Sequence, residues 1–311
     1  MRVLLTSRLH GEALGRLAGH EVDVYAGPNP MPGAELARRI AGADGLICFP
    51  FDRIGRDVID AGSGLRAIST YSVGYDHIDV SYARGRGIAV GHTPDVLTAA
   101  TADLALALIL DVTRRVSEGD RMVRGGRWTQ MIGARDYVGA GLQGRTLGVL
   151  GMGRIGRAVA SRAAAFGMGV IYHSRRPVDG IPGHCTLGEL ASRSDIVSVH
   201  APLSPATEGI VGEGFIRMMR RGAYLVNTSR GALVDEEALA AALREGRLAG
   251  AGLDVLRKEP AGAGHLLASL GNVVATPHIG SATEEARLAM AHMAVENVLG
   301  GMEGRGAAHP V

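Results

Sequence analysis

The stretch "GVLGMGRIGRAVASRAAAFG", Gly148–Gly167, carries the pattern that decides the fold. It begins with apolar residues, continues with three glycines in G-x-G-x-x-G spacing, and then repeats apolar residues at helical spacing. The glycines permit a tight turn and a close backbone approach, and the N-terminus of the following helix presents free N–H groups. The pattern therefore predicts a dinucleotide-binding loop. The cofactor-binding residues predicted in this loop are Gly151, Gly153, Arg154, Ile155 and Gly156.

The chain on both sides of this loop alternates short β-branched runs with helical patterns, which indicates parallel sheets covered by helices. Before the loop, strands are predicted at Arg2–Ser7, Val22–Tyr25, Gly45–Phe49, Ala67–Thr70 and Gly87–His92, and helices at Glu12–Leu17 and Ala34–Ile40. A second series of strands is predicted at Thr146–Leu150, Gly169–His173, Asp195–His200, Ala223–Asn227, Ala249–Val255 and Asn272–Thr276. The predicted fold class is α/β, with two doubly wound parallel sheets.

The chain is predicted to form two domains, one inserted in the other. The βα pattern changes near Pro94, and Asp95 to about Arg124 is predicted to form one long helix rich in Ala and Leu. A last helix, from about Thr283 to Leu299, is expected to return to the first domain. The predicted parts are a flavodoxin-like domain over residues 1–94, a Rossmann NAD(P)-binding domain over residues 95–280, and a returning C-terminal helix within residues 281–311.

Composition and charge exclude several classes of protein. The 311 residues are 46% hydrophobic and carry a net charge of +2, with no run of five basic residues. Such a chain has no general affinity for nucleic acid or for an anionic membrane surface. Any anion site must therefore be local.

The two cysteines and the apolar segments indicate the compartment. Cys48 and Cys185 stand outside any C-x-x-C pattern, so neither a disulfide framework nor a metal site is expected. The apolar run at the N-terminus is too short for a signal peptide, and the run before Asp111 is too short to span a membrane. We therefore expect a soluble, cytoplasmic protein.

The stretch "VIYHSRRP", Val170–Pro177, ends on positive charge. In a site built for NAD, an acid near the end of this strand binds the adenosine ribose hydroxyls. Here Ser174, Arg175 and Arg176 stand in that place, and the nearest acid, Asp179, lies beyond the strand. Guanidinium groups suit a 2′-phosphate, so NADP(H) is the preferred cofactor and NAD(H) a possible one. The alternative is that both arginines are solvated and that NAD(H) binds without an acid.

Three reactive side chains follow three different strands of the second series. Arg230 follows "AYLVN", Glu259 follows "AGAGLDV" and His278 follows "NVVAT". Ligands of open α/β sheets bind outside the carboxyl ends of the strands. Each residue alone is typical of a solvated or structural side chain, but together they suit the reduction of a 2-oxo acid. The histidine can protonate the carbonyl oxygen, the carboxylate favours the charged ring and fixes its tautomer, and the arginine holds the substrate carboxylate.

The motifs "GMGRIG", "VNTSRGALVDEEAL", "GLDVLRKEP" and "TPHIGSAT" resemble those of the D-isomer-specific 2-hydroxyacid dehydrogenase family, over nearly the whole chain. Within it the chain is similar to glyoxylate/hydroxypyruvate reductases, through "STYSVGYDHIDV", "TPDVLTAATADLAL" and "LSPATEGIV". The resemblance implies reduction of glyoxylate to glycolate or of hydroxypyruvate to D-glycerate. In these enzymes Arg230 would bind the substrate, Glu259 would support His278, and His278 would be the acid/base.

The resemblance also assigns residues outside this set. It implies that the backbone of Val73 and Gly74 contacts the substrate carboxylate, which makes residues 1–94 the substrate-binding domain. It further implies a homodimer in which the helical segment after Pro94 packs against the second subunit. The other cofactor-binding residues assigned in this way are Thr101, Pro202, Thr207, Thr228, Asp254 and Gly280.

Two departures from the family pattern leave the substrate preference open. After "GLDV" the family often has an aromatic residue and an acid, whereas Leu256 and Arg257 stand here. The segment between Gly126 and Gly141 contains the only tryptophan, Trp128, where some relatives have several aromatic residues near the partner's active site.

Other functions are compatible with the same motifs. A D-lactate type dehydrogenase is one alternative, whereas a phosphoglycerate dehydrogenase is disfavoured because the chain ends soon after the last helix. From another class, a dinucleotide-sensing, corepressor-like binding protein can keep the arginine, glutamate and histidine, although no partner-recruiting tail is visible. A nucleic-acid-binding module would need a basic stripe and an aromatic platform, which the sequence lacks.

Overall fold

A computed structural model describes residues 1–262 and 264–311 of the chain. The chain divides into two compact units, one formed by Met1–Leu97 with Ser281–Val311 and the other by Thr98–Gly280. Among the described residues, each unit contains one parallel sheet with helices around it. The predicted α/β fold class is thereby confirmed.

The regular elements alternate along most of the chain. The described strands are β1 (Arg2–Leu5), β2 (Glu21–Val24), β3 (Gly45–Cys48), β4 (Ala67–Thr70), β5 (Ala89–Gly91), β6 (Thr146–Leu150), β7 (Gly169–His173), β8 (Ile196–Val199), β9 (Ala223–Asn227), β10 (Leu248–Leu253) and β11 (Val273–Ala275). The described helices are α1 (Gly11–Leu14), α2 (Gly33–Ile40), α3 (Arg56–Ala61), α4 (Val80–Gly85), α5 (Thr98–Arg114), α6 (Val116–Arg124), α7 (Arg154–Ala165), α8 (Leu187–Arg193), α9 (Glu213–Met218), α10 (Glu236–Arg244) and α11 (Glu284–Met302). Short 3₁₀ turns occur at Gly15–Leu17 and Gly231–Leu233.

The sheet of the first unit has the order β2-β1-β3-β4-β5, and its pairs are all parallel. Strands β3 and β4 consist of buried residues because helices cover both faces of the sheet. Helix α11 packs closely on this sheet: a Cβ at Gly45 would lie 2.6 Å from Val298, and a Cβ at Gly301 would lie 2.6 Å from Ala67. The last helix of the chain is therefore part of the core of the first unit.

The sheet of the second unit has the order β11-β10-β9-β8-β6-β7, again with parallel pairs. One face is covered by α5 and α7, whose buried residues include Ala105, Ile109 and Val159, and the other by α8, α9 and α10. The central strands β8 and β9 are buried along their whole length. Because both faces of these strands are covered by helices, their sequences "IVSV" and "AYLVN" are almost continuously apolar.

The prediction of one long helix from Asp95 to about Arg124 is wrong. Helix α5 begins only at Thr98, and it ends at Arg114 because Arg115 adopts a left-handed conformation with φ of 58°. The Asp111 carboxylate accepts hydrogen bonds from the backbone N–H of Ser117, at 2.7 Å, and from its hydroxyl. These bonds stabilise the start of α6, since the first N–H groups of a helix have no partner within it.

The described residues contain no helix that combines the length and the apolar character needed to cross a membrane. They also contain no group of three or more His, Cys, Asp or Glu side chains placed to hold a metal ion. Cys48 and Cys185 are buried free thiols, and burial raises the pKa of the Cys185 thiol.

Candidate active site

The register of the second sheet places the carboxyl ends of its described strands in one row. The residues paired across this row are His173, Leu150, Val199, Asn227, Leu253 and Ala275. The loops that follow these strands therefore meet at a single edge, which is where ligands bind in open α/β sheets. These loops include the predicted dinucleotide-binding loop at residues 151–156, called the phosphate loop below, and they carry Arg230, Glu259 and His278.

Two glycines of the phosphate loop, Gly151 and Gly156, have no room for a side chain. Gly151 has a φ of 101°, and a Cβ there would lie 2.5 Å from the backbone nitrogen of Ala201. A Cβ at Gly156 would lie 2.1 Å from the carbonyl oxygen of Gly151. Both glycines are thus required by close approach of backbone to backbone.

The opening of helix α7 fits a pyrophosphate. Gly153 is its N-terminal cap, and among the described residues no side-chain hydrogen bond caps the helix there. Arg154 and Ile155 lie in its first turn. A Cβ at Gly153 would meet no described atom within 4 Å, so this side of the loop is open. Uncapped N–H groups at the positive end of a helix attract an anion.

The segment after β7 forms a compact turn beside the phosphate loop. The Ser174 hydroxyl donates to the carbonyl of Arg176 at 2.6 Å, and the ring Nε2 of His184 lies 3.1 Å from the carbonyl oxygen of Ser174. Arg175 and Arg176 are exposed, and within the described part of the chain neither guanidinium has a carboxylate partner. Asp179 is exposed and lies outside the strand, as the sequence indicates. The turn therefore presents two unopposed positive charges.

Glu259 and His278 form a direct hydrogen-bonded pair. Nδ1 of His278 lies 2.7 Å from Oε2 of Glu259, and the other carboxylate oxygen accepts the backbone N–H of Leu256 at 2.9 Å. Burial opposes ionisation of Glu259, but the hydrogen bond and charge of His278, the Leu256 N–H and the charge of Arg230 outweigh it and lower the pKa of the carboxyl. An ionised Glu259 accepts the proton on Nδ1, so Nε2 of His278 is left for other chemistry.

Asp254 fixes the loop that carries His278. Its Oδ1 accepts from the Thr276 hydroxyl at 2.7 Å and from the Ile279 N–H at 2.8 Å, and its Oδ2 accepts from the Gly280 N–H at 2.8 Å. Burial raises the pKa of Asp254, and these hydrogen bonds act against that rise. His278 itself has a φ of 55°, a conformation that a residue with a side chain rarely adopts without such support. Asp254 thus helps to fix the orientation of the imidazole.

Arg230 lies in the loop after β9, next to the loop that carries Glu259. The Asn227 side-chain amide donates to the carbonyl of Arg230 at 2.9 Å. A Cβ at Gly231 would lie 2.0 Å from the carbonyl carbon of Leu256, so the two loops are in direct backbone contact. The positive charge of Arg230 contributes to the lowered pKa of Glu259. Three side chains that are distant in the sequence are thereby brought together.

The remaining cofactor residues predicted in the second unit lie along the same edge. Thr101 on α5 is 5% exposed, and a Cβ at Gly280 would lie 3.4 Å from its methyl group. Thr228 is buried, and its hydroxyl has no hydrogen-bond partner among the described residues. The Thr207 hydroxyl donates to the carbonyl of Pro202 at 2.7 Å, which braces the loop after β8. Their roles in cofactor binding stay predictions.

Val73 and Gly74 belong to the first unit, in the loop after β4. The backbone N–H of Thr93 donates to the carbonyl of Ser72 at 2.9 Å, and Nδ1 of His92 lies 2.9 Å from the carbonyl oxygen of Val73. Among the residues that the structure describes, the N–H groups of Val73 and Gly74 have no hydrogen-bond acceptor. The loop therefore presents two adjacent N–H groups, a geometry that suits an anion.

A family model for the D-isomer-specific 2-hydroxyacid dehydrogenase NAD-binding domain matches residues 106–280, all within the second unit. A glyoxylate reductase of Thermofilum pendens is 44% identical over 281 residues, which is 88% of this chain and 83% of that protein. The chain belongs to the D-isomer-specific 2-hydroxyacid dehydrogenase family. It is therefore an oxidoreductase, and its second unit contains the NAD-binding domain.

Two further relatives of this dehydrogenase match over almost the full length. The human glyoxylate reductase/hydroxypyruvate reductase is 41% identical over 314 residues, covering 98% of this chain and 95% of that protein. The crystal structure of an NADPH-dependent glyoxylate/hydroxypyruvate reductase from Sinorhizobium meliloti, in complex with NADP and malonate, is 33% identical. It superposes with a TM-score of 0.88 and covers 100% of this chain and 96% of that one. The resemblance found in the sequence is confirmed at the level of the family.

Two residues that shape this edge of the dehydrogenase were not predicted from its sequence. His200 follows β8, its Nε2 lies 2.8 Å from the Ser198 hydroxyl, and burial lowers the pKa of its imidazole to about 4. The ring is therefore neutral near neutral pH, next to the loop of Gly151. Thr276, which bonds Asp254, was also missed. The signal was present in both cases, since His200 and Thr276 are the polar last residues of two predicted strands.

The two departures from the family pattern have defined places in the dehydrogenase. The N–H of Arg257 donates to Glu236 at 2.7 Å, and its guanidinium pairs with Glu208 at 2.7 Å. Arg257 thus takes part in a surface ion pair beside the Leu256–Glu259 turn. Trp128 is half exposed, in the loop after α6.

Proposed function

We propose that this dehydrogenase reduces a small 2-oxo acid with NADPH, converting glyoxylate to glycolate and hydroxypyruvate to D-glycerate. One observation carries the proposal: the Nδ1 of His278 bonds the Glu259 carboxylate, at a strand edge shared with Arg230 and the phosphate loop. That arrangement suits protonation of a carbonyl oxygen next to a bound dinucleotide. The names of the glyoxylate reductases and the hydroxypyruvate reductase among its relatives support the substrate class.

Each side chain has one role in this mechanism. Arg230 binds the substrate carboxylate and polarises the neighbouring carbonyl through its charge. His278, held by Glu259, donates the proton on Nε2 to the carbonyl oxygen. The resulting neutral ring keeps its other proton on Nδ1, which donates a hydrogen bond to the Glu259 carboxylate. Bound NADPH supplies the hydride that reduces the carbonyl carbon. The product is a 2-hydroxy acid, and the reverse direction uses His278 as the base.

We assign substrate binding also to the first unit, through Val73 and Gly74. Their adjacent N–H groups would donate to the substrate carboxylate, as the family resemblance implies. The first unit is then the substrate-binding domain, and the second is the cofactor-binding domain.

We infer a preference for NADPH from the two unopposed guanidinium groups at Arg175 and Arg176, with the Ser174 hydroxyl beside them. The adenosine 2′-phosphate carries the charge that this turn lacks, and no carboxylate of the described residues stands there to accept ribose hydroxyls. The NADP complex of the Sinorhizobium meliloti relative supports the inference.

The cofactor preference predicts the effect of Arg175→Ala. We expect the Michaelis constant for NADPH to rise by about 10- to 100-fold, the usual effect of losing a hydrogen bond to a charged group. The constant for NADH should stay near the wild-type value, because NADH has no 2′-phosphate. Steady-state rates with both cofactors measure this, and Arg244→Ala, at an exposed arginine at the end of α10, is the control. Equal effects on both cofactors would mean that Arg175 does not bind the phosphate.

The substrate assignment is tested by initial rates with glyoxylate, hydroxypyruvate, pyruvate and phenylpyruvate, each with NADPH and with NADH. We expect the highest kcat/KM with NADPH and either glyoxylate or hydroxypyruvate. Highest rates with pyruvate would instead indicate the D-lactate type. If no substrate lowers the NADPH absorbance although NADPH binds, the corepressor-like sensor would be favoured.

We further propose that the protein is a homodimer formed through the region of α6 and the following loop. Within α6, every residue of which is described, none is buried. Exposed apolar side chains are concentrated here, and such a concentration marks an interaction surface. They are Val116, Val123, Trp128, Met131, Ile132 and Val138.

The double substitution Trp128→Glu with Met131→Glu is expected to yield monomers in sedimentation velocity at concentrations where the wild type is dimeric. Two charges in an apolar interface would stay unpaired and desolvated. Met218→Glu, at a methionine that is 48% exposed on α9, is the matched control and should leave the dimer intact. A dimer in both variants would exclude this surface.

We also propose a cytoplasmic location, supported by the free thiols of Cys48 and Cys185.

A further inference from the structure

The loop after β4 is held by a hydrogen bond to each of three successive carbonyls. The Ser72 carbonyl accepts from the N–H of Thr93 at 2.9 Å, and the Val73 carbonyl is bonded by Nδ1 of His92 at 2.9 Å. The Gly74 carbonyl accepts from the Ser72 hydroxyl at 2.5 Å. No regular strand or helix includes this loop, so these bonds replace those of a sheet or helix.

The anchored carbonyls determine where the amide N–H groups of the loop are directed. A trans peptide is planar, and its N–H is opposite to its C=O. The bond to the Ser72 carbonyl therefore sets the direction of the Val73 N–H. The bond from His92 to the Val73 carbonyl sets the direction of the Gly74 N–H in the same way. Both N–H groups are therefore directed away from His92 and Thr93, the two residues that follow β5.

The chemistry of the contact fixes the tautomer of His92. A carbonyl oxygen only accepts, so Nδ1 of His92 carries the proton. Its ring lies edge-on to Tyr75, with ring centroids 5.7 Å apart, and Asn297 of α11 donates to its backbone carbonyl at 2.8 Å. The N–H of His92 donates to the carbonyl of His309 at 3.0 Å. His92 is thus held on both sides of its Cα while its side chain holds the Val73 peptide.

A second chain of hydrogen bonds ends on the Gly74 carbonyl, and its direction is fixed. Because the Ser72 hydroxyl donates to Gly74, it accepts from the Thr70 hydroxyl, 2.7 Å away. Thr70 then accepts from Nε2 of His77, at 3.0 Å. Every proton of this chain has one place, which makes the loop rigid.

We propose that His92 is a positioning residue for the substrate carboxylate, because its hold on the Val73 carbonyl keeps the Gly74 N–H directed at that carboxylate. The inference rests on the proposed function, in which Val73 and Gly74 bind the carboxylate. His92 touches neither substrate nor cofactor in this assignment. Its effect is on ground-state binding of the carboxylate, which is common to glyoxylate and hydroxypyruvate.

The test compares His92→Leu, which removes the donor, with His92→Asn, whose side-chain amide nitrogen takes nearly the position of Nδ1. We expect His92→Leu to raise the KM for glyoxylate by about tenfold, the usual effect of losing one positioning hydrogen bond. The KM for hydroxypyruvate should rise by the same factor, while kcat and the KM for NADPH stay near the wild-type values. His92→Asn should restore both KM values. If His92→Leu does not give a cooperative thermal transition, His92→Ala serves as the donor-free variant.

The outcomes separate this inference from the proposed function. A wild-type protein that reduces neither substrate overturns the proposed function and, with it, this role of His92. An active wild type with an unchanged KM in the donor-free variant overturns the role of His92 alone. The same conclusion follows if His92→Asn is as impaired as His92→Leu, since the ring rather than the donor would then matter. Unequal effects on the two substrates would also overturn it, because they would place His92 at the variable part of the substrate.

Discussion

Replacement of His278 by alanine is expected to lower kcat for glyoxylate reduction by about 10²- to 10⁴-fold, the usual contribution of a positioned acid. The reason is geometric. Nδ1 of His278 is bonded to Glu259 at 2.7 Å, which leaves Nε2 as the atom that donates the proton in the proposed mechanism. Without the imidazole, water must protonate the developing alkoxide, and it is not held in place. Steady-state kinetics at saturating NADPH and glyoxylate measure the loss.

Two further variants show whether the loss is chemical. Glu259→Gln should give an intermediate kcat, because an amide oxygen still accepts the Nδ1 proton but does not stabilise the positive ring. His292→Ala, at a partly buried histidine of α11, should keep kcat near the wild-type value. NADPH binding, followed by cofactor fluorescence, should be retained in His278→Ala. Near-wild-type turnover in that variant would exclude His278 as the acid.

The second large effect is expected at Arg230. Arg230→Gln should lower kcat/KM for glyoxylate by about 10²- to 10³-fold, since it removes both a charge-assisted hydrogen bond to the carboxylate and the polarisation of the carbonyl. Arg230→Lys should be intermediate, because an ammonium group keeps the charge but loses the planar fork. The Michaelis constant for NADPH should change little in either variant.

Arg257 is the matched control for this prediction. It lies in the neighbouring loop and pairs with Glu208 at 2.7 Å, so it is an arginine of similar location with a surface partner. Arg257→Gln should leave kcat/KM close to the wild-type value, since exposed ion pairs contribute little. Comparable losses of kcat/KM in Arg230→Gln and Arg257→Gln would show that any positive charge near this edge has the same influence, and that Arg230 has no specific contact with the substrate. An unchanged kcat/KM in Arg230→Gln would remove Arg230 from the substrate site.

A loss at His278 would also separate the enzyme from the corepressor-like alternative. A sensor of dinucleotides that keeps the same three residues should bind NADPH equally well with or without His278. In the proposed mechanism, turnover requires Arg230, Glu259 and His278 together, and residues that act as a unit give non-additive losses. The double variant of Arg230 and His278 should therefore be little worse than His278→Ala.

The sequence alone was sufficient for the fold class, the phosphate loop and the family. The strands could be predicted because each is a short apolar run. The phosphate loop could be predicted from its glycines, because close backbone contacts at Gly151 and Gly156 exclude any residue with a side chain. The strand ends could be compared because parallel strands place their carboxyl ends at one edge. For this reason Arg230, Glu259 and His278 could be selected before any distance was known.

The sequence was not sufficient where a side chain acts on distant backbone. The break between α5 and α6 depends on Asp111 reaching the N–H of Ser117, and the helical pattern of the stretch gives no sign of it. The same is true of His92, which bonds a carbonyl 19 residues earlier in the chain. Helical periodicity reports which face is apolar, but it does not report where one polar side chain finds its partner.

Local sequence thus determined which backbone segments form strands, helices and an anion-binding turn, because these depend on periodicity and on the absence of a Cβ. Only the tertiary structure decided how the functional groups are oriented. The Nδ1 proton of His278 is assigned by Glu259, and its backbone at a φ of 55° is supported by Asp254. The physical reason is that a tautomer, a rotamer or the direction of an N–H is set by its hydrogen-bond partner, and these partners come from other strands.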